Sequence, residues 1–343
     1  MRLHSALAIT MSSLLSLTTI ACVNSASTHA VQSSQSVAEF SSTRMMQHLA
    51  SLQNIAAANN NNRAVGTAGG LASAKYILDQ VKAAGLTAQI LPFENRNKKV
   101  GQNIIVEIKG QSKDTAIIVG GHYDSVEMGP GINDNASGVA VLLELIQQIK
   151  QQKQPPQHTL YFAFWDSEED GIGGSQHFVK NLSAKQLEGI QSYINLDMVG
   201  TKDPTIQIAD GDRSSIDEME KMLKARGMAE NDYKPVTDGL RLIPKHPKDR
   251  VLEHHLRHFF AAQHIQIKDE LSTLTASDTA PFLGKVPVTS VIFFNEQMKG
   301  DELEFAPCYH KACDTIDLID PKSMQIAGAA ALSLINTLNA SSQ

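Results

Sequence analysis

Short, unbroken apolar runs that each end in a polar cluster recur along this chain, and they constrain its fold more than any other feature. Ala116 to Val119 closes on Gly120-Gly121 and HYDS, HTLYFAFW closes on DSEED, QSYINLDMVG carries Asp197 near its end, and VPVTSVIFF follows. A continuous apolar run of strand length, rather than an alternating one, predicts a strand covered on both faces, the habit of parallel sheets. Between these runs lie segments of helical spacing. LASAKYILDQVKAAG stops at Gly85, SGVAVLLELIQQIK reads as an amphipathic helix, GGSQHFVKN starts another, and DPKSMQIAGAAALSLINTLN closes the chain with Asp320 as an N-cap candidate. TAQILPF and QNIIVEIKG read as a further pair of strands, and about 37–59 as a helix. Alternating strands and helices predict a three-layer α/β/α fold with a mostly parallel, mixed central sheet. In such sheets ligands sit beyond the carboxyl ends of the strands, so HYDS, DSEED and Asp197 should converge on one edge.

The first residues read differently. Arg2 and His4 precede LAITMSSLLSLTTIAC, a run too short and too interrupted to span a membrane and suited to a secretory signal. Cys22 after Thr19-Ile20-Ala21 resembles a bacterial lipobox, apart from Thr19 where leucine is usual; the rival is a soluble export signal cut near Ser25 or Ala30. A Ser-rich tether reaches residue 36, and 37–343 is expected to be one domain, with an inserted or elaborated segment at about 201–270. Within that segment SSIDEMEKMLKARG and RVLEHHLRHFFAAQ read as helices joined by LIPKHPKD. Either signal takes the protein out of the cytoplasm, to the periplasm, the outer membrane or the medium, with membrane contact only through a lipid on Cys22. The net charge of −6 and the lack of a basic stripe argue against nucleic acid as a partner. In an exported chain the close pair Cys308 and Cys313 is expected to form a disulfide. A reduced pair or a metal site is the alternative, although the spacing matches no common zinc pattern.

Five groups invite chemistry: His122 with Asp124, Asp134-Asn135 in GPGINDNASG, Glu168-Glu169, Asp197, and His310 in CYHKACD. Each has a plain reading. His122 could be a satisfied polar residue, Asp134 a turn or helix cap, and Glu168-Glu169 a solvated loop. Asp197 resists that treatment, because a carboxylate in an apolar strand needs a partner. Taken jointly, three carboxylates and two imidazoles can hold two divalent cations and leave one carboxylate free as a base. His254 and His258, four apart in EHHLRH, lack the acidic partner of a metal helix and read as a solvated face.

The motifs GGHYDSV, GINDNASGVAVLLEL, FAFWDSEEDGIGGSQHF, INLDMVG, SDTAPF and CYHKACDTID resemble, in order and spacing, the zinc-dependent aminopeptidases of family M28, secreted bacterial type. They span residues 120–317, and VGTAGGLASAKYILDQVKAAG within 65–110 is similar as well. The resemblance implies two Zn2+ ions, with another divalent metal as an alternative. His122 and Asp197 would take one ion, Glu169 and His310 the other, and Asp134 would bridge them. Glu168 would be the general base, and Asp124 would fix the tautomer of His122 through its other nitrogen. Tyr309 would donate to the oxyanion or else act as a packing aromatic, and a Cys308–Cys313 bridge would clamp the His310 loop. The substrates implied are peptides with a free N-terminus.

Two departures bear on substrate preference: Thr279 stands where the family commonly has histidine, and Ala276 where some relatives carry arginine. The alternatives are a glutaminyl cyclase-like acyltransferase on the same fold, a dipeptidase- or carboxypeptidase-like member, or a lipid-anchored binding protein that has lost activity.

Overall fold

The computed structural model describes residues 40–299 and 302–340. The expected signal, Cys22 and the tether to residue 36 lie outside the described residues. Helix α1 (Ser42–Ala58) begins where the Ser41 hydroxyl accepts the Arg44 amide, and α2 (Ala68–Ala83) begins where Thr67 accepts that of Gly70. Strands β1 (Ala88–Glu94) and β2 (Val100–Ile108) form an antiparallel hairpin. Then come β3 (Ala116–His122), α3 (Ser137–Gln151), β4 (Thr159–Trp165), α4 (Gly173–Lys180), α5 (Ala184–Gly189) and β5 (Ile190–Asp197). The segment after β5 holds β6 (Thr205–Ala209), α6 (Ser214–Ala225), α7 (Glu230–Arg241), α8 (Asp249–Ala262), β7 (Ile267–Glu270) and α9 (Ser272–Thr275). Strand β8 (Val288–Phe294), the short pair β9 (Gln297–Lys299) and β10 (Glu302–Glu304), and α10 (Pro321–Ala340) complete the chain.

The strands form one open eight-stranded sheet in the order β1-β2-β4-β3-β5-β8-β6-β7, with β9 and β10 apart from it. The pairs β4–β3, β3–β5, β5–β8 and β6–β7 are parallel, and the other three are antiparallel. The chain leaves β3 on one side to make β4 and returns on the other to make β5. This puts a topological switch point at the carboxyl end of β3, where open α/β sheets open a crevice.

Both faces of the sheet are covered, which is why the strand sequences read as continuous apolar runs. On one face Ile104, Ile117, Val119, Phe162, Phe164, Ile194 and Leu196 pack against α1, α2, α3, α8 and α10. On the other, Ile105, Ile118, Ala163, Trp165 and Tyr193 meet α4, α6, α9 and the Phe282 turn. Successive strand residues point to opposite faces, so adjacent residues in one run serve different cores.

Three local expectations change. Helix α3 is not amphipathic along its length: Ser137 to Ile146 are all buried, Glu144 included. The Glu144 carboxylate is held by Arg44 of α1 at 2.5 and 2.8 Å, which is how a charge survives at that depth. Helix α7 occupies ENDYKPVTDGLR, where Pro235 and Gly239 disguise it; Tyr233 and Thr237, four apart, are its buried side. Strands β6 and β7 extend the sheet beyond β8, and β7 reads only as charged IKDE until it is paired with β6. Among the described residues no helix is long and apolar enough to cross a membrane.

Candidate metal centre

The edge formed by the carboxyl ends of β3, β4 and β5 gathers the residues singled out in the sequence. His122 ends β3 and is buried. Its Nε2 stands 3.2 Å from Asp134 Oδ1 and 3.6 Å from Asp197 Oδ1. His310 arrives from the loop after β10, with Nε2 3.2 Å from Asp134 Oδ2 and 3.1 Å from Glu169 Oε2. The two oxygens of Asp134 therefore face different imidazoles, with Asp197 beside one and Glu169 beside the other. Glu168 and Tyr309 line the same cleft, a cavity of about 280 Å³.

Polar neighbours hold the segments that carry Asp134 and Asp197. Asp134 lies in the turn Ile132–Ala136 ahead of α3, its peptide bond to Asn135 is cis, and its amide donates to Asp314 at 3.1 Å. Asp314 also accepts the Asn133 amide at 2.9 Å. Asn135 donates to the Leu196 carbonyl at 2.9 Å and accepts the Gly138 amide at 2.9 Å, tying the end of β5 to the start of α3. Asp197 is oriented by a relay of hydrogen bonds. The Trp165 indole donates to the Tyr193 hydroxyl (2.9 Å), which donates to Asn195 Oδ1 (2.7 Å). Asn195 then donates to Ser277 Oγ (2.9 Å), which donates to Asp197 Oδ2 (2.7 Å).

Asp124 stands 3.4 Å from His122 Nδ1, beyond an ordinary N–H···O hydrogen bond. The bonds it does accept come from the amides of Glu168 (3.1 Å) and Glu169 (3.3 Å). So Asp124 positions the glutamate loop as well as standing behind His122. The two other acids of DSEED are structural in their contacts. Asp166 accepts from Tyr123 and from the Gln102 amide, and Asp170 from Asn95.

Burial and crowding shift these groups strongly. Removal from water raises the Glu168 carboxyl well above its ordinary range, with Asp278, Glu169 and Asp197 adding to it against His122. Burial, then Asp134, pushes Glu169 up to about 7. For His310 burial works downward, and the bonds to Asp134 and Glu169 outweigh it and raise the imidazole to about 10. Burial opposes charge on His122 as well, yet Asp197, Asp124 and Asp134 raise it well above normal. Burial and the surrounding carboxylates hold the Tyr309 phenol protonated, its ring stacked on His310 with centroids 3.7 Å apart.

The donor set fits a small divalent cation of borderline character. Asp197 Oδ1 and Glu169 Oε1 are buried and accept no hydrogen bond in the described structure. A buried carboxylate oxygen without a donor is costly unless a cation meets it. Two imidazoles and three carboxylates are nitrogen and oxygen ligands of the kind zinc takes.

A family profile for Peptidase family M28 matches residues 103–335. The chain belongs to peptidase family M28. This M28 chain is 38% identical over 165 residues to leupeptin-inactivating enzyme 1 of Streptomyces exfoliatus, covering 48% of the chain and 37% of that protein. It thus spans well under half the length of that curated relative. Its fold matches a zinc aminopeptidase from Bacillus subtilis with a TM-score of 0.66 at 16% identity, covering 87% of the chain and 95% of that one. It also matches the glutaminyl cyclase of Porphyromonas gingivalis with a TM-score of 0.63 at 19% identity, covering 87% and 99%.

Other sequence candidates fall outside the M28 cleft. His254 and His258 are exposed on α8, their rings 4.4 Å apart, and are not among the converging groups. A larger groove of about 910 Å³ runs beside α6 and α8, but it shares no residue with the cleft. Its Arg257 is already paired with Glu253 and Asp269. The acids Asp210 and Glu253 beside it accept loop amides from Arg213, Ser215 and Gly211. Thr279 is buried in the turn after Ser277, while Ala276 lines the cleft. Sequence reading missed Asn195 and Asp314. Asn195 stands two residues before Asp197 on the same strand face, and Asp314 directly follows Cys313, so the signal for each was adjacency alone.

Cys308 and Cys313 are joined in a disulfide around His310. Both Cys308 (φ 65°) and His310 (φ 57°) take the left-handed conformation that non-glycine residues seldom adopt, so the loop needs a restraint from outside its own backbone. Replacing both cysteines by serine is expected to lower the unfolding free energy by about 2 kcal/mol, the loop-closure value for so short a ring. A denaturant midpoint unchanged from the parent would show that the bridge does not carry the loop.

Proposed function

We propose that this M28 chain is an exported dinuclear zinc aminopeptidase that removes N-terminal residues from peptides. The observation that carries the reading is the Asp134 carboxylate set between His122 and His310, each with its own flanking carboxylate, beside a fourth acid that touches neither imidazole. His122 and Asp197 would hold one zinc, Glu169 and His310 the other, and Asp134 both. Zinc there supplies Lewis acidity, polarising a peptide carbonyl and lowering the proton affinity of water.

The chain's own residues do the rest. Glu168 takes the proton of the attacking water and hands it to the leaving amine. Adjacent residues of an irregular loop point different ways, so Glu168 faces the reacting atoms while Glu169 faces His310. Tyr309, kept protonated by burial, has a hydroxyl to donate to the developing oxyanion. Ile172, Met198, Ile292, Phe294 and Phe305 give the cleft an apolar wall for the first side chain, and the carboxylates beside it suit a free α-amine. The disulfide supports export, because such bonds persist in oxidising compartments, and so does the N-terminal run that reads as a signal, with or without a lipid on Cys22.

The test is hydrolysis of aminoacyl-p-nitroanilides against their N-acetylated forms, with and without a chelator. Free-amine substrates are expected to be cleaved, acetylated ones spared, and chelator to stop the reaction. Comparable rates on acetylated substrates would sink the reading. The similarity in fold to a glutaminyl cyclase makes cyclisation the second reading. Pyroglutamate formation from N-terminal glutamine with a single required zinc would favour it.

A further inference from the structure

The turn between β1 and β2 is fastened to the glutamate loop. Asn95 Nδ2 donates to Ser167 Oγ at 3.0 Å and to Asp170 Oδ2 at 3.1 Å, while Lys99 pairs with Asp170 at 3.3 Å and with Glu127 at 2.7 Å. This fastening delivers Arg96 to the mouth of the cleft that holds Glu168 and Glu169. Its guanidinium lies against Gly171: a Cβ there would stand 2.5 Å from Cζ and 2.8 Å from Nε, so a side chain at that place would displace the end of the arginine. Gly171 itself has φ +96°, a conformation that favours glycine at that place. Among the described residues no carboxylate pairs with Arg96.

The cleft is therefore polarised. Asp134, Glu168, Glu169 and Asp197 lie at its floor, and a cation without a partner stands at its rim on a fastened turn. Arginine's planar fork of donors suits a carboxylate. The first residue of an aminopeptidase substrate gives its amine to the acids, its side chain to the apolar wall and its carbonyl to the reaction. A carboxylate meeting Arg96 must then come from the second residue.

We propose that Arg96 is a specificity-determining residue that binds a carboxylate on the leaving residue, so that the protein favours dipeptides with a free C-terminus or peptides acidic at the second position. The inference rests on the aminopeptidase reading, and the experiment separates the two. The efficiency kcat/KM is measured for Leu-Ala against Leu-Ala-NH2, and for Leu-Asp-NH2 against Leu-Asn-NH2, in the parent protein and in Arg96→Ala and Arg96→Lys.

The parent is expected to favour the carboxylate member of at least one pair by about tenfold, mainly through KM, as a charge-assisted hydrogen bond does. Arg96→Ala should bring that ratio to about one, and Arg96→Lys should keep part of it. The first pair reports a terminal carboxylate, the second a side-chain one. Added salt should shrink the ratio in the parent and leave it flat in Arg96→Ala. Equal efficiencies within both pairs in the parent, or a preference that survives Arg96→Ala, would overturn the assignment while leaving the aminopeptidase reading intact. No cleavage of any free-amine substrate would overturn both.

Discussion

Glu168→Gln is expected to lower kcat on an aminoacyl-anilide by about 10²–10⁴-fold while zinc content stays at the parent's level. Glutamine keeps the shape and hydrogen-bonding reach of the side chain but cannot take a proton. The positions of the two glutamates make the outcome specific. Glu169 Oε2 stands 3.1 Å from His310 Nε2, whereas Glu168 makes no such contact and only lines the cleft. The loop should not move, because Asp124 holds it through the amides of both residues, which the substitution leaves in place. Metal analysis beside steady-state kinetics checks this. Loss of zinc from Glu168→Gln would make Glu168 a ligand, and retained kcat would remove it as the base. The same pair of measurements on Glu169→Gln should show the opposite pattern, with zinc lost first.

Asp134→Asn is expected to be the most damaging single change to metal binding. The two carboxylate oxygens each face an imidazole at 3.2 Å. An asparagine presents one oxygen and one NH2, so one of those positions becomes a donor pointed at a nitrogen that must itself be a ligand. It also removes a negative charge from between two groups that would hold cations. Zinc affinity should fall by more than the about 10–100-fold typical of altering a partner one shell further out. Asp314→Asn, which touches only the amides of Asn133 and Asp134, serves as that milder comparison. Thermal unfolding gives a readout that does not depend on turnover. A ligand that binds the folded state raises its stability in proportion to RT ln(1 + [L]/Kd), so chelator should lower the parent's Tm and leave that of Asp134→Asn unchanged. An equal fall in both would mean that Asp134 does not hold the metal.

The residues proposed to ligate and react stood out in the chain because metal chemistry demands particular atoms. Each carboxylate and imidazole after an apolar strand had a plain reading by itself, and only Asp197 inside INLD resisted one, because a buried carboxylate needs a partner. What orients them was less visible. Ser277 and Asn195 are ordinary polar residues, 82 positions apart, until the fold brings them to 2.9 Å and routes the Trp165 and Tyr193 hydrogen bonds toward Asp197. Arg96 was one of several charges in ENRNKK, and its place at the cleft mouth depends on Asn95 reaching across to Ser167.

By itself, the sequence determined the layered α/β class and the strands that end in acids and imidazoles. Burial on both faces forces continuous apolar runs, and acids and imidazoles just beyond such runs are the kind of group a cation takes. Tertiary structure alone decided three further things. It joined β6 and β7 to the sheet edge, since pairing, not composition, makes IKDE a strand. It sank α3 into the core, where Arg44 can neutralise Glu144 only because α1 crosses it. And it gave each oxygen of Asp134 its own imidazole, because the loop after β10 brings His310 to the turn that follows β3, a distance that local sequence cannot measure.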